Sequence, residues 1–191
     1  MSTRREELVR TASRLFAERG FHGTSMGDIA EAMGVQKGSL YSLTSSKQAL
    51  LAAAMDQGAA AFHAALDPIP DELTAIDRVR EALRAHLRVV AGQLDVATVF
   101  IREWRYLEGE GREAFVAERR RYEERWRAIF REGVERGELR VDVDAEAAAL
   151  LVLSAANWAY TWLRLGADTD ALADRFTAVL VDGIRGYADP R

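Results

Sequence analysis

Between residues 36 and 47 the chain carries side chains suited to gripping a nucleic-acid duplex. Gln36 and Lys37 stand where a helix would begin. Lysine can reach guanine edges and glutamine can pair with adenine edges. Gly38 removes a side chain where a backbone must approach a partner closely, and Ser39 and Tyr41 offer hydroxyls to phosphate oxygens. Lys47 follows Ser45-Ser46 at the start of another helix, where free amides and the helix dipole attract phosphate. Phosphate contacts of this kind fix register, while base contacts near Gln36 and Lys37 supply specificity. The plain alternative is a helical hairpin with an exposed polar end, and the pattern by itself leaves both readings open.

The elements around this run are helices. Asp28–Met33 turns Ile29, Ala30 and Met33 to one side, Gly34-Val35-Gln36 makes a three-residue turn, and a second short helix runs from about Gln36 to Leu43. Helix, glycine turn and helix is the layout of a helix-turn-helix, whose second helix enters the major groove by its N-terminal residues. Ahead of it, Thr3-x-x-Glu6 reads as a capping box, with Leu8, Ala12, Leu15 and Phe16 forming one face and Gly20 ending the helix. Ser25-x-x-Asp28 caps the next helix, and Ser45-x-x-Gln48 opens a longer one that lasts to about Leu66, where Asp67-Pro68-Ile69-Pro70 breaks the chain. The spacing places a DNA-binding domain over 1–50 and a second domain over 51–191.

Composition supports this reading. The chain has 191 residues, 49% apolar and 29% charged, which suits a folded globule and excludes a disordered chain. Three prolines and abundant alanine favour helix. The expected fold is all-α, about nine helices, with a three-helix N-terminal domain and a larger helical body. In the body Ile76–Leu94, Val96–Leu107, Phe115–Val134, Ala145–Leu165 and Leu172–Tyr187 carry helical periodicity, and Arg140–Asp144 alternates too briefly to be more than a linker. The absence of cysteine excludes disulfides, thiol nucleophiles and thiolate metal sites, and fits a cytoplasmic setting. The longest uncharged run, Ala147–Leu163, has 17 residues, short of the roughly 20 a membrane span needs, so a buried helix and no membrane partner is expected. No apolar stretch follows Met1–Glu6, so no signal peptide is read there. Residues 1–50 hold seven lysines and arginines against five carboxylates, whereas the remainder is acidic, which allows polyanion binding at one end. His22, His63 and His86 lack metal-ligand spacing, and no phosphate loop, nucleotide fingerprint or nucleophile motif occurs. Neither catalysis nor a metal or cofactor is therefore expected.

Phe16-Ala-Glu-Arg-Gly-Phe21, Asp28-Ile-Ala-Glu-Ala-Met-Gly-Val-Gln-Lys-Gly-Ser-Leu-Tyr41 and Ser46-Lys-Gln-Ala-Leu-Leu51 resemble the DNA-binding domain of TetR-type bacterial regulators almost position by position. The resemblance implies that Lys37, Gly38, Ser39, Tyr41 and Lys47 take the family's DNA-contact positions and Ser25 its helix-start phosphate position. Where the family carries an aromatic-histidine-phenylalanine run after the tyrosine, this chain has Ser42-Leu43-Thr44. Leu43 is then expected to supply the packing of the missing phenylalanine.

The body is rich in aromatics and arginine. Trp104, Arg105, Arg119, Tyr122 and Trp126 lie in one stretch; Asn157, Trp158 and Tyr160 lie in another. Arg102–Leu107, Arg121–Trp126, Gly133-x-x-x-Gly137 and Asn157–Trp162 resemble a TetR-type subgroup that senses acyl-coenzyme A thioesters. Apolar aromatics suit an acyl chain or ring and arginines suit the coenzyme A phosphates, with a drug, free fatty acid or steroid as alternatives. Arg119, between Phe115 and Tyr122 on their face, reads as half-buried and in need of an anion, either Glu103 or a ligand group. His86 sits near the Leu83–Leu87 face, as a pocket residue or a satisfied core histidine. The last two helices, with Leu172, Phe176, Val179, Leu180, Gly183, Ile184 and Tyr187, are expected to pair with a second copy. The resemblance thus implies a homodimeric repressor on a palindromic operator, with recognition helices about 34 Å apart. Effector binding within 83–165 would move the helix that begins near Lys47 and release the DNA. A helical small-molecule-binding protein with a vestigial DNA domain is the alternative of a different class.

Overall fold

The structure, a computed structural model, describes residues 3–163 and 166–184. These form nine α-helices: α1 Arg4–Arg19, α2 Met26–Ala32, α3 Lys37–Leu40, α4 Lys47–Leu66, α5 Ala75–Gly92, α6 Leu94–Arg102, α7 Gly109–Glu135, α8 Ala145–Trp158 and α9 Thr169–Ile184. Single 3₁₀ turns follow at Trp104–Tyr106 and Ala159–Thr161. The all-α expectation holds among the described residues. Two compact units result, one of Met1–Ala61 with Gln93–Arg119, the other of Phe62–Gly92 with Arg120–Arg191.

In the first unit, helix starts follow the caps read from sequence. Thr3 and Glu6 exchange bonds, as do Ser25 and Asp28, and each pair satisfies two amides that the helix leaves open. Gly20 (φ 77°) and Gly34 (φ 65°) turn the chain through the left-handed region that a side chain disfavours. The core joins Leu8, Leu15, Phe16, Ile29, Leu40, Leu50, Met55, Val99 and Phe115, so α6 and the start of α7 pack with the first four helices. Leu43 is partly buried against this core, as expected. The apolar residues of α4, whose composition alone could pass for a membrane span, are here core: Leu50, Leu51, Ala54, Met55, Phe62 and Leu66.

Four element boundaries differ from expectation. The second helix of the turn motif has only four residues, with Tyr41–Leu43 in turns and Gln36 at its cap position without a side-chain bond. The cap of α4 is Ser46, whose Oγ accepts from the Ala49 N–H at 3.0 Å; Ser45 is not the cap, and Gln48 donates instead to the Tyr106 carbonyl at 2.9 Å. The segment Val96–Leu107 divides into α6 and a 3₁₀ turn, and Ala145–Leu165 ends as an α-helix at Trp158. Apolar periodicity runs through such junctions because it reports which residues face a core, not which backbone bonds persist.

The second unit is tied by charge and aromatic packing. Arg84 bonds Asp174 at 2.6 Å and Arg88 bonds Asp170 at 2.6 Å, joining α5 to α9. Arg78, nearly buried on α5, bonds Asp71 at 3.0 Å and Glu132 of α7 at 2.5 Å. Trp126, Phe62 and Phe130 are wholly buried. Gly133 lies where α7 meets the start of α5: a Cβ there would stand 2.5 Å from Ala75 Cβ and 2.8 Å from Leu139 Cδ1.

Two outcomes follow from this packing. Gly133→Ala gains about 1 kcal/mol of helix propensity but forces an overpacking cost of about 1–3 kcal/mol, so its urea midpoint should fall. His86 is 1% exposed, and burial pushes its imidazole down to about 3. Below the ordinary value near 6.5 the unfolded ring takes a proton that the folded ring refuses, so stability falls as pH falls. From about pH 7.5 to about pH 5.5 this removes about 1.4 kcal/mol. Urea unfolding at the two pH values should show a drop smaller by that amount in His86→Phe.

Candidate nucleic-acid interface and aromatic cluster

The start of α3 forms an open, polar tip. Gln36, Lys37, Gly38, Ser39 and Tyr41 are all exposed, Tyr41 by 51%, while Leu40 among them is wholly buried. The turn ahead is closed by the Val35 N–H donating to the Ala30 carbonyl at 3.0 Å, and α3 begins with the Ser39 N–H on the Gln36 carbonyl at 2.9 Å. Gly38 has no positive φ, and a Cβ there would meet nothing within 4 Å. Nothing within the described residues requires glycine at 38. Ser25 is exposed, but its Oγ accepts from the Asp28 N–H at 3.1 Å, and Asp28 accepts from the Ser25 N–H at 2.7 Å. Hydrogen bonds from the Ser25 hydroxyl and the Ser25 N–H, with the neighbouring Arg19, hold the Asp28 carboxyl below its ordinary range.

Lys47 is placed differently from the other candidates. It is half-buried, and its Nζ donates to the carbonyls of Phe21 and Thr24, each at 2.9 Å, while lying 4.2 Å from the centre of the Phe21 ring. The Phe21 N–H in turn donates to Glu103 Oε2 at 2.7 Å. Glu103 also accepts from Arg102 Nε at 2.9 Å and is 2% exposed. Sequence reasoning did not assign Glu103 or Gln48 to this part of the molecule. Glu103 was legible only as an anion for Arg119; the Phe21 N–H that it accepts from lies 82 residues away.

The candidate ligand residues fall into three groups. His86, Tyr122 and Trp126 come together in the second unit: His86 Nδ1 is 3.0 Å from the Tyr122 hydroxyl, and Phe62 packs on His86 with ring centres 4.7 Å apart. Burial alone keeps the imidazole neutral and raises the Tyr122 phenol above its ordinary value. His86 Nε2 is buried with no hydrogen-bond partner among the described residues. Trp104, Arg105 and Arg119 gather elsewhere, in the first unit. There Trp104 stacks on Phe115 at 5.6 Å, and the Arg119 guanidinium lies 5.6 Å over the Trp104 ring. Arg119 is exposed, which corrects its reading as half-buried; a side chain this long leaves the apolar face by its stem. Arg105 is exposed, with Nε on the Arg102 carbonyl at 2.9 Å.

The third group, Asn157, Trp158 and Tyr160, ends α8, and Trp158 is 63% exposed. Leu150, Leu151 and Val179 are also largely open in the single chain. An apolar groove of about 290 Å³ runs between Leu83, Leu151, Val152, Phe176, Val179 and Leu180. The expected contact residue Tyr187 and the side chains of Gly183 and Ile184 lie outside the described residues.

Comparison with known proteins places this geometry. Residues 8–54 match the model described as bacterial regulatory proteins, tetR family, and residues 72–184 match the tetracyclin repressor-like C-terminal domain. The chain is 27% identical over 190 residues to a repressor of Rhodococcus jostii named KstR2, covering 96% of this chain and 92% of the relative. Among solved structures, the TetR-family regulator PfmR of Thermus thermophilus matches with TM-score 0.87 and 29% identity, covering 94% of this chain and 96% of that one. AibR, solved in complex with isovaleryl coenzyme A and operator DNA, matches with TM-score 0.84 and 28% identity over 93% of this chain and 97% of that one. An exposed helix-turn-helix tip at one end and a matched helical C-terminal domain over most of the remainder make this chain a member of the TetR family of bacterial regulatory proteins.

Proposed function

We propose that this chain is a homodimeric transcriptional repressor that binds a palindromic operator through α2 and α3 and releases it when an acyl-coenzyme A thioester binds the helical body. The functional division is then the one at residue 50, with 1–50 reading DNA and 51–191 sensing and pairing. The observation that carries the DNA half is the open polar tip: Gln36, Lys37, Gly38, Ser39 and Tyr41 are all exposed, and a Cβ at Gly38 would meet nothing of its own chain within 4 Å. Exposed Gln36 and Lys37 supply base contacts there, and Ser39 and Tyr41 supply hydroxyls for phosphate. Pairing is supported by the largely open Leu150, Leu151, Trp158 and Val179 on α8 and α9, which a second copy would cover.

For the effector, the cluster of His86, Tyr122 and Trp126 offers an apolar wall with an unpartnered polar atom, His86 Nε2. A buried polar group without a partner costs about 1–3 kcal/mol, which an oxygen of the acyl portion would offset. Arg105 and Arg119, both exposed, are the candidates for the coenzyme A phosphates; Asn157, Trp158 and Tyr160 complete the proposed ligand set. KstR2 of Rhodococcus jostii is named a repressor and AibR is solved with an acyl-coenzyme A and DNA together, which supports the same pairing of partners here.

The DNA reading is tested with a duplex recovered from a random pool by the wild-type protein. Lys37→Ala and Tyr41→Ala should each weaken binding about tenfold or more. Gly38→Ala should fold as well as the wild type or better, by up to about 1 kcal/mol, yet bind the duplex worse. Failure of the wild type to recover any sequence at any salt concentration returns the vestigial alternative. For the effector, saturating acyl-coenzyme A thioesters should raise the melting temperature and release the duplex. Equal effects from the free acids would remove the role given to Arg105 and Arg119.

A further inference from the structure

The buried cluster of the second unit contains one imidazole whose two nitrogens stand in different surroundings. His86 is 1% exposed, and the rings of Phe62, Tyr122 and Trp126 pack around it at 4.7, 6.1 and 6.5 Å between centres. Its Nδ1 lies 3.0 Å from the Tyr122 hydroxyl. Its Nε2 is buried with no hydrogen-bond partner among the described residues. The Trp126 indole, one helical turn on from Tyr122, shares a side-chain hydrogen bond with the Tyr122 hydroxyl. An indole N–H only donates, so the phenol oxygen is the acceptor in that bond. If Nδ1 also donated to this oxygen, the buried Tyr122 proton would find no acceptor among these three residues. One direction satisfies the two contacts together. Trp126 donates to Tyr122, Tyr122 donates to His86 Nδ1, and the single proton of the neutral ring sits on Nε2. Burial independently keeps the ring neutral.

We infer that His86 Nε2–H is the donor that reads the carbonyl oxygen of the effector, and that Tyr122 and Trp126 are positioning residues that fix the tautomer making it a donor. The site then takes an acyl compound over an equally apolar molecule that lacks an acceptor. The inference rests on the proposed effector site in the helical body and adds the polarity of its recognition. A buried N–H without an acceptor has lost its hydration and gained nothing in return. A carbonyl oxygen brings lone pairs and no proton, so it matches this atom. A hydroxyl matches it only by turning its own proton toward the surrounding rings, and a methylene does not match it at all. Discrimination against a ligand without the acceptor is strong, because the unmet group belongs to the site itself. Phe62 lies over the imidazole with only 33° between the ring planes, so it covers the face of the ring. A partner for Nε2 therefore has to arrive at the ring edge.

Matched thioesters and thioethers test this. An alkyl-coenzyme A thioether keeps the chain, the sulfur and the phosphates of its acyl-coenzyme A thioester and lacks only the carbonyl oxygen. Binding of butyryl- through dodecanoyl-coenzyme A, each beside its thioether, is measured by calorimetry on the full chain. The wild type should bind its best thioester about tenfold or more tighter than the matching thioether. His86→Phe should bring the thioester down to the thioether level. His86→Gln, whose amide keeps a donor at similar reach, should restore part of the difference. Nitrogen NMR of histidine-labelled wild type should place the ring proton on Nε2. Tyr122→Phe should show both tautomers and a smaller preference for the thioester. Equal binding of thioester and thioether by the wild type overturns the inference, as does a wild-type ring protonated at Nδ1. Both are read without a variant, so a variant that fails to fold does not blunt the test. Absence of binding by every thioester is a distinct result: it overturns the acyl-coenzyme A reading and this use of His86 together, whereas equal binding leaves that reading standing.

Discussion

A helix of four residues cannot hold itself in water, because nucleation costs more than one turn of hydrogen bonds returns. The helix α3 exists because Leu40 is wholly buried against the core made by α1, α2 and α4, and because the preceding turn is closed by the Val35-to-Ala30 bond. Everything asked of the polar tip depends on that one anchor. With Leu40 turned in, Lys37, Gly38, Ser39 and Tyr41 are turned out, and no other large side chain in the helix competes for the core. Burying a leucine is worth about 1.5–3 kcal/mol, enough to fix one turn but not to resist a displacement of the core beneath it. The tip is therefore as rigid as the packing around Leu40.

This explains how much could be read from the chain. The capping boxes at Thr3 and Ser25, the glycine turn at Gly34 and the inward Ile29 are local signals, spread over four residues or fewer, and all were legible. The proline break after Leu66 was legible for the same reason. What failed was longer in range or finer in grain. The cap of α4 moved from Ser45 to Ser46 because neighbouring serines offer the same hydroxyl, and the choice is made when Gln48 is drawn to Tyr106, 58 residues away. The bonds of Lys47 were not legible because its partners, two backbone carbonyls, have no side-chain identity to leave in a sequence. Arg119 looked half-buried because periodicity follows the Cβ direction, whereas a guanidinium ends far from its Cβ.

The aromatic cluster of the second unit was legible as a set of residue types and not as an arrangement. His86 lies 36 residues before Tyr122, yet the two rings share a hydrogen bond at 3.0 Å. Two facts about the cluster come only from its burial. The imidazole is neutral across the whole physiological range, so it serves as a hydrogen-bonding group and not as a charge. One nitrogen, His86 Nε2, has no hydrogen-bond partner among the described residues. A buried nitrogen in this state is one that a bound polar group would satisfy.

If that group belongs to the effector, the energy available to a switch can be bounded. Moving a two-state equilibrium from one side to the other, from about 1:99 to 99:1, needs about 5.5 kcal/mol of differential binding. One orphan nitrogen satisfied in one state and not in the other would supply roughly 1–3 kcal/mol per chain. In a dimer that switches as a unit this counts twice, so polar completion at His86 reaches the required scale only at the top of that range. Apolar burial of the acyl chain cannot be relied on for the same task, since an apolar surface that is covered equally in both states raises affinity without shifting the balance. Directional bonds made in one state and not the other do discriminate, and in this cluster His86 Nε2 is an atom placed to make one.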